Sequence, residues 1–231
     1  MADTLTRNFP VTNFKQVNFN ALGSIQIIQD GSESLVAEGS QEALEHIKVD
    51  QDGGQLNIRL YTWYDFFFFP HPARYTLHVK DLEAFSISGS AEMECERLES
   101  PRLDMSISGS GRCQVGELKA TSIHSSASGN GDFTVANIAA SDISASLSGS
   151  GRYRLAGTAE RLSVRISGSG EVEAQQLQVI KEEVHISGSA KVTTSVSESL
   201  DIHISGSGEI LYTGAPQITQ SVSGSASIRK L

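Results

Sequence analysis

Through the second half of the chain apolar and polar residues alternate with a period of two, as in Asp201-Ile202-His203-Ile204-Ser205. This is a strand pattern, with isoleucines facing a core and polar groups facing water. Each such stretch runs into Ser-Gly-Ser or a near variant. The motif recurs eight times, centred on Gly89, Gly109, Gly129, Gly149, Gly168, Gly188, Gly206 and Gly224, at intervals of 20, 20, 20, 19, 20, 18 and 18 residues. Helical-pair repeats need about 33 residues or more, so this shorter period predicts one coil of a β-solenoid per repeat.

Alignment on the glycines turns each repeat position into a column, and stacked coils make each column a ladder of side chains with rungs ~4.8 Å apart. Two residues before the glycine the column reads Ile87, Ile107, Ala127, Leu147, Ile166, Ile186, Ile204, Val222, and four residues after it Met93, Cys113, Phe133, Tyr153, Val172, Val192, Ile210, Ile228. Both are inward ladders. Two residues after the glycine only glycine or alanine occurs, which points to a corner where coil backbones come close together. Three residues after it the column runs Glu92, Arg112, Asp132, Arg152, Glu171, Lys191, Glu209, alternating in sign at every rung, as an outward column should. A third apolar set includes Leu98, Leu118, Ile138 and Leu177, followed by Leu103, Ile123, Ile143, Leu162 and Leu200. The expected architecture is an all-β parallel β-helix of about 18–20 residues per coil over residues 84–231. A right-handed winding is the expectation, since parallel crossovers turn that way.

Residues 1–83 lack the tandem motif but read as strands at Val17 to Ala21, Ile25 to Ile27, Leu35 to Ala37, Leu56 to Leu60 and Tyr75 to Val79. Asp52-Gly53-Gly54 marks a turn, and Ser40 to His46 a helical turn capped by Ser40. We read this part as a β-rich N-terminal lobe that caps the first coil and covers its edge.

Composition narrows the function more than the fold. Eighteen basic against 27 acidic residues leave a formal charge of -9 with no basic patch, so nucleic acid is not an expected partner. No run approaches the ~18 apolar residues of a transmembrane span. Two cysteines exclude a disulfide scaffold; Cys95 and Cys113 fall in columns two residues apart and read as buried thiols. There is no nucleophile elbow, phosphate-binding glycine loop or cysteine–histidine pair, so no cofactor is implied and the chain reads as non-catalytic. Met1-Ala2-Asp3-Thr4 has none of the regions of a signal peptide. The expected location is the cell envelope, periplasmic or extracellular, if an export signal has been removed, and the cytoplasm if Met1 is the native start.

The residues Arg7, Phe14 and Val17, then Gly23-Ser24-Ile25-Gln26-Ile27 with Gln29-Asp30-Gly31, then Gly54-Gln55-Leu56-Asn57-Ile58, and above all Leu82-Glu83-Ala84-Phe85-Ser86-Ile87-Ser88-Gly89-Ser90-Ala91, resemble the putative auto-transporter adhesin head domain, or GIN domain, of Bacteroidetes-type envelope proteins. The resemblance covers nearly the whole chain. It implies a β-solenoid, usually exported, with no assigned catalytic residues and an adhesin-like role toward a protein or glycan at the cell surface.

Three groups of residues are candidates for a site. The first is the pair of serine ladders flanking the glycines, Ser88 to Ser223 before and Ser90 to Ser225 after, which either present a hydroxyl face or simply fill a tight corner. The second is Glu183, His185, Asp201 and His203, at matching positions of adjacent coils on one outward face, a donor set that suits zinc or a related ion. Arg165, one coil earlier in the histidine column, opposes a cation. The third is the aromatic run Trp63, Tyr64, Phe66, Phe67, Phe68 and Phe69, which alternation cannot bury on one face, so that it either seals a seam between the two parts or contacts a partner protein, a sugar ring or a membrane surface. The reading that follows is a surface-binding or structural module. Its alternatives are a polysaccharide-acting enzyme or metal-binding protein using the second group, and a scaffold self-associating by stacked coil ends.

Overall fold

Arg112 lies opposite Glu92 on one side and Asp132 on the other, so residues about twenty apart in the chain are neighbours in space. The computed structural model describes residues 4–61 and 72–231. Its elements are β1 (Leu5–Phe9), β2 (Gln16–Asn20), β3 (Gly23–Gln29), β4 (Ser34–Gly39), α1 (Gln41–Glu45), β5 (Ile47–Asp52), β6 (Gln55–Leu60), β7 (Ala73–Val79), β8 (Ala84–Gly89), β9 (Glu92–Gly109), β10 (Arg112–Gly129), β11 (Asp132–Gly149), β12 (Arg152–Gly168), β13 (Glu171–Gly214) and β14 (Gln217–Lys230). From β9 onward the strands run around the corners of the coil, and all neighbours from β8 to β14 are parallel. The chain is an all-β solenoid of roughly seven turns.

The glycine of each Ser-Gly-Ser corner has a positive φ, for example +131° at Gly149, where a Cβ would stand 2.1 Å from the Gly129 carbonyl oxygen. That left-handed backbone is what lets successive corners stack. Their main chains continue the ladder: Ser110, Asn130, Ser150 and Ser169 each donate an N–H to the carbonyl of the preceding corner glycine, at 2.8–2.9 Å. The small residues two positions later answer a different constraint. A Cβ on Gly111 would press the Ile87 side chain at 2.8 Å, and one on Gly170 the Leu147 side chain at 2.0 Å. Packing against the inward isoleucine ladder, as much as backbone approach, keeps that column small.

The interval of 19 residues is absorbed locally. Val135 faces Leu155 and Ile138 faces Gly157, so two residues of β11 stand against Ala156 alone, and Gly157 takes φ +121°. The register is regular again from Ala139 opposite Thr158 onward.

Residues 1–83 join the same sheet. β2 pairs in parallel with β8, and β3 with β9, so Phe19 stands over Ile87 and Ile25 over Met93. On their other side β2 and β3 pair in parallel with β6 and β7. Antiparallel strands then finish this end, β5 on β6 and β4 with β1 on β7. α1 lies between β4 and β5, with the Ser40 hydroxyl accepting the Ala43 N–H at 3.2 Å, as a capping serine does.

One continuous apolar core runs through the coils. Phe133 and Tyr153 stack in it at 5.0 Å between ring centroids, and the Tyr153 hydroxyl donates to the Ser146 carbonyl at 3.0 Å. Cys95 and Cys113 are both free and buried, and burial pushes their thiols up to about 11 and about 12, so both stay protonated. The inward column Leu103, Ile123, Ile143 and Leu162 continues into Glu182, a carboxylate at a core position.

Candidate functional site

Two outward regions combine shape with chemistry. The first is the face of the strand leading into each corner. Alternation sends Ile166, Ile186 and Ile204 inward and exposes the serines before the glycines together with Arg165 and His203 two residues earlier, with His185 between them half-buried. A shallow groove of about 700 Å³ lies along this face over Ser146, Arg165, Ser167, His185, Ser187, His203 and Ser205. The serines before the glycines are exposed along it.

Within this face the His185 and His203 rings stack, with centroids 4.7 Å apart and planes 10° from parallel, because in-register parallel strands place them one rung apart. A ring nitrogen of His185, Nε2, lies 2.7 Å from Glu183 Oε1. The donor atoms of Glu183, His185 and His203 all fall within 4.8 Å of one another. Asp201, expected to complete the set, is exposed and does not belong to that cluster. Arg165 Nη2 stands 3.8 Å from Glu183 Oε2, while its Nη1 donates to the Ser163 hydroxyl at 2.7 Å. The His185 hydrogen bond, helped by the nearby Arg165 guanidinium, holds the Glu183 carboxyl below the ordinary carboxylate range.

The second region has no motif of its own in the sequence. Eleven residues after most corner glycines, Ser100, Ala120, Ala140, Ala159 and Val179 stack in register, and with Val196 and Gly214 they floor a groove of about 990 Å³. Its length spans seven coils, or roughly 29 Å at strand spacing. One rim carries Pro101, Thr121, Ser141, Glu160, Ile180 and Ser197, the other Glu99, Lys119, Ala139, Thr158, Gln178 and Ser195. The Lys119 ammonium is paired with Glu99 at 2.8 Å, so the charge at that end is neutralised. Aligning this column would have shown its run of small side chains, but whether a corner is concave depends on chain direction, which alternation does not encode.

The aromatic candidates Trp63, Tyr64, Phe66, Phe67, Phe68 and Phe69 lie outside the described residues. Of the described residues on either side, Arg59 is paired with Asn20 and Ala73 with Gly23. The expected charge ladder has contacts from Arg112 to Glu92 at 3.1 Å, Arg152 to Glu171 at 3.0 Å and Lys191 to Glu209 at 4.0 Å; Arg229, from a neighbouring column, also reaches Glu209 at 2.6 Å. Among the described residues no helix is long and apolar enough to cross a membrane.

Comparison with known proteins adds a family and a set of relatives. The model of the family "Putative auto-transporter adhesin, head GIN domain" matches residues 13–216. No curated protein matches the sequence. Among crystal structures, a "putative lipid binding protein" from Parabacteroides distasonis superposes with a TM-score of 0.91 at 25% identity, covering 99% of this chain and 97% of that one. A "putative adhesin" from Parabacteroides merdae gives 0.86 at 18% identity, covering 99% and 96%. Another from Parabacteroides distasonis gives 0.90 at 16%, covering 100% and 98%; at these last two identities the likeness shows the fold alone.

Proposed function

The chain belongs to the putative auto-transporter adhesin, head GIN domain family, and from that premise we propose that it is a surface-binding module of the cell envelope, not an enzyme, that holds its ligand along the solenoid axis. The observation that carries this reading is the groove over Ser100, Ala120, Ala140, Ala159, Val179 and Val196. Its floor offers one short side chain, or glycine, per coil, none longer than valine, and stacked strands hold it rigid before any ligand arrives. An extended apolar chain suits such a floor, since each methylene buried contributes about 0.8 kcal/mol and a preformed site spends little of it on ordering. The Parabacteroides distasonis relative described as lipid binding supports an acyl chain as the occupant. In the same reading Trp63, Tyr64 and Phe66 to Phe69 supply a separate aromatic contact at the capped end, and residues 1–83 serve as the cap.

Outward acids such as Glu92, Glu171 and Glu209 are engaged by arginines one coil away, whereas glycoside cleavage needs two carboxyl groups facing each other across a bond. Displacement of a fluorescent fatty acid tests the proposal. The wild-type chain is expected to bind it, and Ala140→Trp, which fills the floor, should weaken binding at least tenfold without lowering the melting temperature. Equal binding in Ala140→Trp and Ala159→Trp would remove the groove as the seat, and turnover of pectin, alginate or glycosaminoglycan would overturn the non-catalytic reading.

A further inference from the structure

We propose that Glu183, His185 and His203 form a binding site for a divalent transition-metal ion of the zinc class, open toward the serine-lined groove. The site lies in different columns from the apolar groove and stands independently of it. Two imidazoles and one carboxylate are a donor set that zinc accepts as three protein ligands, leaving a fourth position for water or an incoming donor. Three features of the fold bring them together. Glu183 and His185 are two apart on one strand and so share its outward face. His203 occupies the next rung of the same column, and the three donor atoms already lie within 4.8 Å of one another. The backbone beneath them is fixed by ladder bonds on both sides, which limits what ordering the ligands costs.

The face-to-face rings present parallel lone pairs, which cannot both point at one ion at 4.7 Å separation. His203 is exposed, so turning its side chain out of the stack brings a nitrogen toward the ion. The ion replaces the proton shared by His185 Nε2 and Glu183 Oε1, releases it to solvent and widens their 2.7 Å contact. The open coordination position then faces the groove over Ser187 and Ser205. Arg165 is the built-in opponent: its guanidinium, 3.8 Å from Glu183, competes with an ion for the carboxylate. This sets the site apart from adventitious surface histidines, because removing that cation has a predictable sign.

Titration calorimetry of the full chain with zinc chloride tests the site. One ion per chain is expected. His185→Ala and His203→Ala should each weaken binding at least tenfold, Asp201→Asn should leave it unchanged, and Arg165→Ser should tighten it severalfold. Zinc-dependent shifts of the ring resonances of His185 and His203, with those of His124 unmoved, provide a readout independent of affinity. Since His203 is exposed, the variant's melting temperature should match that of the wild type; if His185→Ala unfolds, His203→Ala and the ring shifts still decide. No stoichiometric uptake at millimolar zinc, or uptake that persists in the double histidine variant, would overturn the proposal. Unchanged affinity in Arg165→Ser would strike Glu183 from the ligands and with it the three-donor site.

Discussion

Glu182 is the residue least at home in its surroundings. It is 3% exposed, continues a column of leucine and isoleucine, accepts a hydrogen bond from the Thr194 hydroxyl through Oε2, and leaves Oε1 without a partner. Burial, opposed only by the Thr194 bond, pushes its carboxyl from the ordinary 4.5 up to about 7. Between those values the folded chain keeps a proton that the unfolded chain has lost, so stability should fall as pH rises from about 4.5 to about 7 and level off above. The full loss is on the order of 3 kcal/mol. Urea denaturation at pH 5, 6, 7 and 8 would show this slope, and Glu182→Gln should flatten it. The double change Glu182→Leu with Thr194→Val, which removes both polar partners together, should raise the melting temperature at pH 8. A wild-type chain no less stable at pH 8 than at pH 5 would contradict the burial of an ionisable carboxyl there. The alternation of the strand around it was legible. Its place in the leucine column was not, since an acid there reads as an outward residue until the pairing of Leu162 with Glu182 fixes the register.

At the scale of the coil, corner and charge ladder differ in what they contribute. Ala at position 149 would meet both the positive φ and the Gly129 oxygen, so Gly149→Ala should cost on the order of 2 kcal/mol or more, whereas Ser148→Ala next to it should stay within about 0.5 kcal/mol. Chemical denaturation of the two variants separates geometry from hydroxyl chemistry; equal losses would mean that the serine is structural. Arg112→Glu sets three acids on successive rungs with Glu92 and Asp132. The side chains are about half exposed, so the loss should be no more than about 1 kcal/mol and should fade in high salt. These elements were readable because a column repeats one physical demand eight times. The skipped residue near Gly157 was visible only as a short interval; its location came from the structure, where a glycine able to take φ +121° marks the irregularity.

Over the whole molecule stability should grade along the axis, because each coil touches only its neighbours. Strands β9 to β12 are paired on both sides, while β14 is paired on one and leaves Val222 42% and Ile218 36% exposed. Amide hydrogen exchange is expected to be slowest in β10 and β11 and fastest in β14, with β2 and β3 protected by the coil of β6 and β7; uniform protection would mean that the solenoid opens as a single unit. The sequence by itself determined the coil, most of its register and the direction of the aligned apolar and charged columns, because Ser-Gly-Ser recurs every 18–20 residues and each strand alternates. It could not show that β2 and β3 form a coil of the same stack, since their partners are 39, 50 and 68 residues away and share no motif beyond the small residues Ala21 and Gly23. Nor could it show which corner is concave or how near Arg165 comes to Glu183. Those depend on how the backbone turns between strands and on side-chain torsions, and only the folded arrangement fixes them.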